Sequence, residues 1–348
     1  MRKFVVNDSV VADESTAYVI AEIGHNHQGN LDTARDMFLC AKDCGVDAVK
    51  LQKRDNQTLF CKSLYNAPYN SENAYGATYG EHREALEFGE SEFNVLVPYA
   101  AELGLDFACT AFDVPSADFL GMVGTSVIKI ASCDLVNTPL LRHVARMGKP
   151  MVVSTGGCSL DDVVRAYDTI MPLNANFCIL QCTAAYPCEA QDMNLRVIET
   201  YLKRFPDIVI GLSDHQNGIS LAMVAFALGA RVFEKHFTLN RAMRGTDHAF
   251  SIEPTGMRKL VRDLKRAEQA LGSADKHCLP MEEKPLLKMR KKIVAARNLS
   301  VGTVLTEADL ALKCPGDGLM PYMLDSVLGK TLTHVLVEDE ALTLEMLK

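Results

Sequence analysis

Polar side chains recur at the ends of short apolar runs in this 348-residue chain. Glu22, Lys50, Thr110, Lys129, Ser154, Thr183, Ser213 and His236 each lie near the end of such a run. Two lysines, Lys50 and Lys129, are costly to bury unless they meet anionic groups. Thr110, Ser132, Ser154 and Ser213 add hydroxyl donors. Ser154-Thr155-Gly156-Gly157 adds flexible backbone whose N–H groups can converge on an anion. Any one of these Ser or Thr residues reads equally as a cap or turn residue. The set reads as a site for a small, multiply charged anion, a phosphate or a carboxylate. His215 and His236 end consecutive runs. Neighbouring strands are about 5 Å apart, so the two imidazoles can reach one divalent cation with positions left for water and substrate oxygens. His25-Asn26-His27 is the competing metal cluster, although both rings of an isolated His-x-His can face solvent. Glu22 has three readings: general base, orienter of metal-bound water, or ion-pair partner of Lys50.

Something must bring these residues to one place. The β-rich runs are 18–24, 48–52, 105–112, 127–132, 151–156, 177–183, 208–215 and 231–238. Amphipathic stretches separate them, several ending at Gly (Gly45, Gly104, Gly148, Gly229), a helix C-terminal signal. Eight strand-then-helix units predict an α/β fold, a (β/α)₈ TIM barrel, with its site at the C-terminal ends of the strands. A doubly wound open sheet is the alternative. Under period-2 alternation Lys50 shares a face with Gln52, Ser213 with His215, and Glu234 with His236. From Lys50 to Thr110 the interval is 60 residues, which leaves about 32 in surplus near 54–90, rich in Tyr, Asn and Gly. This reads as an inserted lid or binding loop. The barrel domain is placed at 1–280. Residues 285–348 lose the βα rhythm and read as a small β-rich second domain.

Composition narrows the function class. Lys and Arg number 36 against 44 Asp and Glu, a net charge of −8, with no Trp and no basic run. Nucleic acid is therefore not expected as a partner. The longest apolar run is too short for a membrane span, and no signal-peptide pattern opens the chain, so a cytoplasmic protein is expected. The 11 cysteines contain no C-x-x-C pair. Cys40 with Cys44, and Cys178 with Cys182, read as small apolar residues in a reducing compartment.

The motifs AEIGHNHQGNL, AVKLQ, KIAS followed by Asp134, VVSTGG, LQCTAAYP, GLSDHQNG and EKHFTLNRAMRGTDHAFSIEP span nearly the whole chain. Together they resemble the sialic acid synthase family, which includes N-acetylneuraminate, legionaminate and related nonulosonate synthases. The tail from about 285 resembles the antifreeze-like (SAF) domain that follows the barrel in these enzymes. The resemblance implies condensation of phosphoenolpyruvate with the open-chain aldehyde of a hexose, commonly N-acetylmannosamine, with phosphate released by C–O cleavage. It further implies Lys50, Thr110, Lys129, Ser132, Ser154 and Ser213 around phosphoenolpyruvate, and Mn²⁺ or Mg²⁺ on His215 and His236. Gln52, Asp134, Tyr186 and Asp247 match positions that contact sugar hydroxyls, Glu22 becomes the candidate for proton transfer, and a domain-swapped homodimer is expected. One departure stands out. Where the family usually has Arg before Pro-Gly, this chain has Lys313-Cys314-Pro315-Gly316. In the family that arginine reaches the sugar's N-acetyl group from the partner subunit, and a thiol cannot replace its charged fork.

Two rival readings stay open at this point. A class I aldolase would form a Schiff base on Lys129 or Lys50. A catalytically decayed sugar-binding protein would account for Cys314.

Overall fold

The computed structural model describes residues 2–348, which divide into two compact units, one running to Gly272 and the other spanning 273–348. The first begins with an antiparallel hairpin, β1 (Lys3–Val6) and β2 (Ser9–Ala12), turned by Asn7-Asp8. Eight strands follow: β3 (Tyr18–Gly24), β4 (Ala48–Lys53), β5 (Asp106–Ala111), β6 (Val127–Ile130), β7 (Met151–Ser154), β8 (Phe177–Cys182), β9 (Val209–Asp214) and β10 (Val232–His236). Each pairs in parallel with the next and β10 returns to β3, which closes the barrel. The open-sheet alternative is thereby excluded.

Alternation along the strands builds two layers inside the cylinder. Tyr18, Ile20, Ala48, Ala108, Val127, Val152, Cys178, Leu180, Val209 and Val232 form the lower, apolar layer. Phe4, Val6 and Val11 of the hairpin belong to the same cluster and close the N-terminal mouth. The next inward positions are Glu22, Lys50, Thr110, Lys129, Ser154, Ser213 and Glu234, all buried. Apolar burial thus fixes the lower layer, and the two-residue repeat aims the polar residues up the bore. Gly211 on β9 is required by space. A Cβ there would lie 2.2 Å from the Val232 carbonyl oxygen and 2.5 Å from Leu180. The outward strand residues pack with the surrounding helices into the larger core.

The 54–90 segment is compact. It holds three short helices (Asn56–Leu59, Lys62–Tyr65 and Tyr79–Glu84) and an antiparallel bridge between Pro68 and Thr78. The second unit starts earlier than the strand-and-turn pattern suggested. Residues 280–289, expected to straddle a boundary, form the helix Pro280–Met289, with Pro285 inside it. Strands β11 (Lys292–Ala295) and β12 (Leu310–Lys313) then pair antiparallel over Leu299, Leu305, Val327, Leu332, Leu336 and Leu342. Among the described residues no helix is long and apolar enough to cross a membrane, and all 11 cysteines are free.

Candidate active site

A cavity of about 540 Å³ opens at the C-terminal mouth of the barrel. Glu22, Lys50, Gln52, Thr110, Lys129, Ser132, Ser154, Ser213, Tyr186, His215, His236 and Asp247 all line it. Twelve residues drawn from all eight strand ends and their following loops therefore face one space.

The floor is a buried ion network. Lys50 Nζ lies 2.8 Å from Glu22 Oε2 and donates to Thr110 Oγ1 at 2.9 Å. Lys129 Nζ donates to Glu234 Oε1 at 3.2 Å, and Lys50 approaches the other oxygen of Glu234 at 3.7 Å. Ser213 Oγ also donates to Glu234 Oε1. Burial raises the Glu22 carboxyl above its usual range, with Lys50 opposing. Burial would raise Glu234 too, but the fields of Lys129 and Lys50 hold it at about 2. The Lys50 ammonium is stabilised, because Glu22 and Glu234 outweigh its desolvation. The contact with Lys50 that one reading of Glu22 expected is present, and it does not exclude the other two. Ser154 Oγ is buried without a hydrogen-bond partner, and Ser132 Oγ accepts from Gly156 N–H at 2.9 Å.

The wall beside it carries the histidines. The rings of His215 and His236 are 5.3 Å apart, with Tyr186 4.2 Å from His215. Burial pushes both imidazoles down to about 4, so both are neutral near pH 7. His215 Nδ1–H donates to the Thr183 carbonyl at 2.9 Å, which leaves Nε2 with a free lone pair. His236 Nδ1 is buried without a hydrogen-bond partner, 3.7 Å from Asp247 Oδ2. These are the two residues that could hold a metal ion; among the described residues no group of three or more His, Cys, Asp or Glu is arranged to do so.

Several expectations change. Asp134 is off the cavity wall. The turn Ser132–Asp134 presents Ser132 and Cys133, and the Asp134 carboxylate accepts instead from Asn137 Nδ2 at 3.2 Å. Thr183 points away from the bore and donates to the Asp192 carbonyl, and Cys182 faces in. His25 and His27 are both buried rather than solvent-facing. His27 stacks on Phe88 at 4.0 Å, and His25 lines the cavity between two arginines. Lys313 pairs with Asp339 inside its own unit, and Cys314 donates to the Met289 carbonyl. Sequence reasoning gave no role to Glu234, although its pairing with His236 on one face was visible. It missed Arg54, Arg83, Phe112 and Phe250 altogether. A signal was present at the end of β4, where Lys53-Arg54-Asp55 follows Gln52.

A closed parallel barrel with buried acid, base and imidazole groups at one mouth defines a (β/α)₈-barrel enzyme. Residues 37–276 match the NeuB family and residues 290–348 match the SAF domain. The chain belongs to the NeuB family of sialic acid synthases, condensing enzymes. It is 40% identical to N-acetylneuraminate-9-phosphate synthase of Homo sapiens over 97% of this chain and 94% of that protein. It is 37% identical to N,N'-diacetyllegionaminic acid synthase of Legionella pneumophila over 91% of each. Among solved structures it resembles the N-acetylneuraminic acid synthetase of Leptospira borgpetersenii solved with citrate. The TM-score is 0.72 and the identity 29%, covering 82% of this chain and 95% of that one.

Proposed function

We propose that this enzyme condenses phosphoenolpyruvate with the open-chain aldehyde of a hexose to give a nine-carbon 2-keto acid and phosphate. The observation that carries the reading is the convergence of Lys50, Lys129, Ser154, His215 and His236 on one cavity of about 540 Å³. In this reading Lys50 and Lys129 hold the phosphate and carboxylate of phosphoenolpyruvate, with Thr110, Ser132, Ser154 and Ser213 as hydroxyl partners. The unpartnered Ser154 hydroxyl supports it, since a buried donor without an acceptor calls for one. Fixing the ester this way sets its C3 beside the aldehyde carbon, and orientation supplies much of the rate. A bond forms between those carbons, water adds its oxygen at C2, and the C2–O bond to phosphate then breaks. Glu22, with its raised pKa, is suited to hold a proton and pass it between that water and the departing group.

Two neutral imidazoles with available lone pairs fit Mn²⁺ or Mg²⁺, and the orphaned His236 Nδ1 supports a ligand there. Bound at His215 and His236, the ion would supply Lewis-acid polarisation of the aldehyde oxygen. Tyr186, Gln52 and Asp247 are placed to meet the sugar. The names of the two relatives differ on whether the product carries a phosphate. The second unit is proposed to meet the barrel of another copy in a homodimer, which light scattering of the full chain tests.

A Schiff-base aldolase is disfavoured. The Lys50 ammonium is favoured by two nearby carboxylates, and Lys129 is engaged by Glu234 at 3.2 Å, so neither nitrogen is left free for a carbonyl carbon. A decayed site would not keep this ion network complete. Phosphate release from phosphoenolpyruvate, measured with a panel of hexoses with and without EDTA, tests the proposal. Release that depends on both a hexose and a metal supports it. Borohydride trapping of a keto acid, with activity surviving EDTA, would overturn it in favour of the aldolase.

A further inference from the structure

A second cavity, of about 430 Å³, lies behind the barrel wall from the catalytic one. It is bounded by the ends of β7 and β8 and by the helices that follow them, Leu160–Ile170 and Val197–Arg204. Cys182 is the one described residue that borders both cavities. The volume is that of a small-molecule site, and the condensation above gives it no part.

Alternation shows that its floor is not an ordinary barrel wall. The outward residues Met151 and Val153 of β7, and Phe177 and Ile179 of β8, are buried, apolar and packed in the larger core. The next outward positions are Thr155 and Gln181, 3% and 5% exposed. Polar side chains there are costly to bury unless each polar atom is matched. Thr155 is matched: its hydroxyl donates to the Leu180 carbonyl at 2.9 Å and accepts from Tyr201 Oη at 3.2 Å. Gln181 is only half matched. Its Nε2 donates to the Met193 carbonyl at 3.1 Å, whereas among the described residues nothing donates to Oε1, a bare acceptor beside the cavity that Gln181 lines.

The rest of the lining says what would satisfy it. At the rim Asn194 donates Nδ2 to the Asp192 carbonyl at 3.1 Å, and among the described residues its Oδ1 has no donor and the Asp192 carboxylate no cation. No described Lys, Arg or His borders the cavity, so an anion would find no counter-charge. Leu160 and Val197 supply an apolar side. Open acceptors, no positive charge and one apolar side suit an uncharged molecule that gives several hydrogen bonds, a polyhydroxylated ring.

The cavity also touches the catalytic mouth through Ser132. Between Thr155 and Gly157, which both line it, Gly156 sends its N–H to Ser132 Oγ at 2.9 Å. Ser132 Oγ donates to Cys182 Sγ at 3.6 Å, and Cys158 Sγ donates to the Ser132 carbonyl at 3.6 Å. Three hydrogen bonds of a residue placed beside phosphoenolpyruvate thus run to the wall of the second cavity. We propose that this cavity is an effector site for an uncharged, polyhydroxylated molecule of monosaccharide size, and that its occupation fixes the Thr155–Gly157 turn and tightens phosphoenolpyruvate binding. The second half rests on the condensation reading; the first does not.

The probes are N-acetylglucosamine and myo-inositol, with gluconate as the anionic counterpart. Two thiols report where a probe sits, since Cys158 borders this cavity and Cys133 the catalytic one, and neither is buried. Iodoacetamide alkylation, followed residue by residue by mass spectrometry, should slow at least fivefold at Cys158 but not at Cys133 with a neutral probe, and at neither with gluconate. Calorimetry should show probe binding weakened at least tenfold in Gln181→Leu. The same loss is expected in Thr200→Tyr, which fills the cavity from an exposed helix position. Without a probe, both variants should bind phosphoenolpyruvate like the native protein. With a saturating neutral probe, native affinity for phosphoenolpyruvate should rise three- to tenfold, and the probe's affinity should rise by the same factor when phosphoenolpyruvate is bound. Failure of both neutral probes to bind, equal binding of gluconate, protection of Cys133 alone, or unchanged binding in both variants would overturn the site. Phosphoenolpyruvate affinity indifferent to a bound probe would overturn the effector role. Probe binding that protects Cys158, in a chain that never binds phosphoenolpyruvate, upholds the site and sinks the condensation reading instead.

Discussion

Lys129 Nζ lies 3.2 Å from Glu234 Oε1, and neither side chain is more than 4% exposed. Since Glu234 also faces Lys50 at 3.7 Å, one carboxylate holds two ammonium groups at the barrel mouth. That carboxylate is preserved as an anion by the lysines, so removing either leaves a buried charge poorly compensated. Lys129→Met is expected to lower folding stability by about 3–5 kcal/mol and to raise the KM for phosphoenolpyruvate at least tenfold. Urea unfolding and phosphate-release kinetics measure the two effects. An unchanged KM would show that the anion binds elsewhere.

The inner layer was readable because a barrel strand has a strict two-residue period. Once the apolar lower positions are assigned, Glu22, Lys50, Thr110, Lys129, Ser154, Ser213 and Glu234 have nowhere to point but the bore. Asp134 was misread because it lies past the strand, where a tight turn rather than alternation decides direction. Arg54 and Arg83 are 29 residues apart in an irregular insertion, and only tertiary closure brings both to His25. The N-terminal hairpin was legible in principle. Asn7-Asp8 between two short apolar alternations is a two-residue turn signal.

Acid should weaken the fold through His27. Its ring is buried against Phe88, and burial together with His25 pushes its pKa down to about 3. Gly29 N–H donates to Nδ1, so the neutral form is the one the fold binds. With a free-chain value near 6.5, the unfolded state takes up a proton first as pH falls. The contribution of neutral His27 is therefore complete above about pH 6.5 and is lost progressively down to about pH 3. At pH 5 the loss is about 2 kcal/mol. Urea midpoints at pH 7.5 and pH 5 should show it, and His27→Gln should have a flatter profile. Equal pH dependence in native and variant proteins would contradict the assignment.

On the outer side of the barrel, Lys235 Nζ lies 2.7 Å from Asp214 Oδ2, both nearly inaccessible. Lys235 also donates to the Gln216 carbonyl. The pair spans β9 and β10 directly behind His215 and His236, so it holds the two ring-bearing strand ends in register. Lys235→Met should destabilise the protein by about 3–5 kcal/mol through the orphaned Asp214. Adding Asp214→Asn should recover part of that loss, a coupling that a double-mutant cycle reads directly. Additive losses would mean the two side chains act independently.

Loss of one ring should abolish metal use without unfolding the chain. His215→Ala removes a residue 5% exposed whose only strong tether is the Thr183 carbonyl. Turnover with Mn²⁺ is expected to fall about a thousandfold or more, with the circular dichroism spectrum unchanged. Native activity in this variant, insensitive to EDTA, would remove the metal assignment.

The insertion also steadies the loop that carries Asp247. Asn73 Oδ1 accepts from Gly245 N–H at 2.9 Å, Tyr75 donates its hydroxyl to the Arg244 carbonyl at 2.9 Å, and Arg244 Nε donates to the Glu72 carbonyl at 3.0 Å. Gly245 has φ +149, and a Cβ there would meet His248 at 2.7 Å, so the backbone path is fixed by glycine and held from outside by Asn73. Asn73→Ala leaves the Gly245 N–H without its acceptor, a loss of about 1 kcal/mol. Because Asp247 sits two residues further on, the substitution should raise the KM for the sugar several-fold. Lys50 and Lys129 sit on strands that this loop does not carry, so the KM for phosphoenolpyruvate should stay within about twofold. Steady-state kinetics varying each substrate in turn separates the two constants. A parallel rise in both would mean that the insertion supports the whole mouth rather than the sugar side alone.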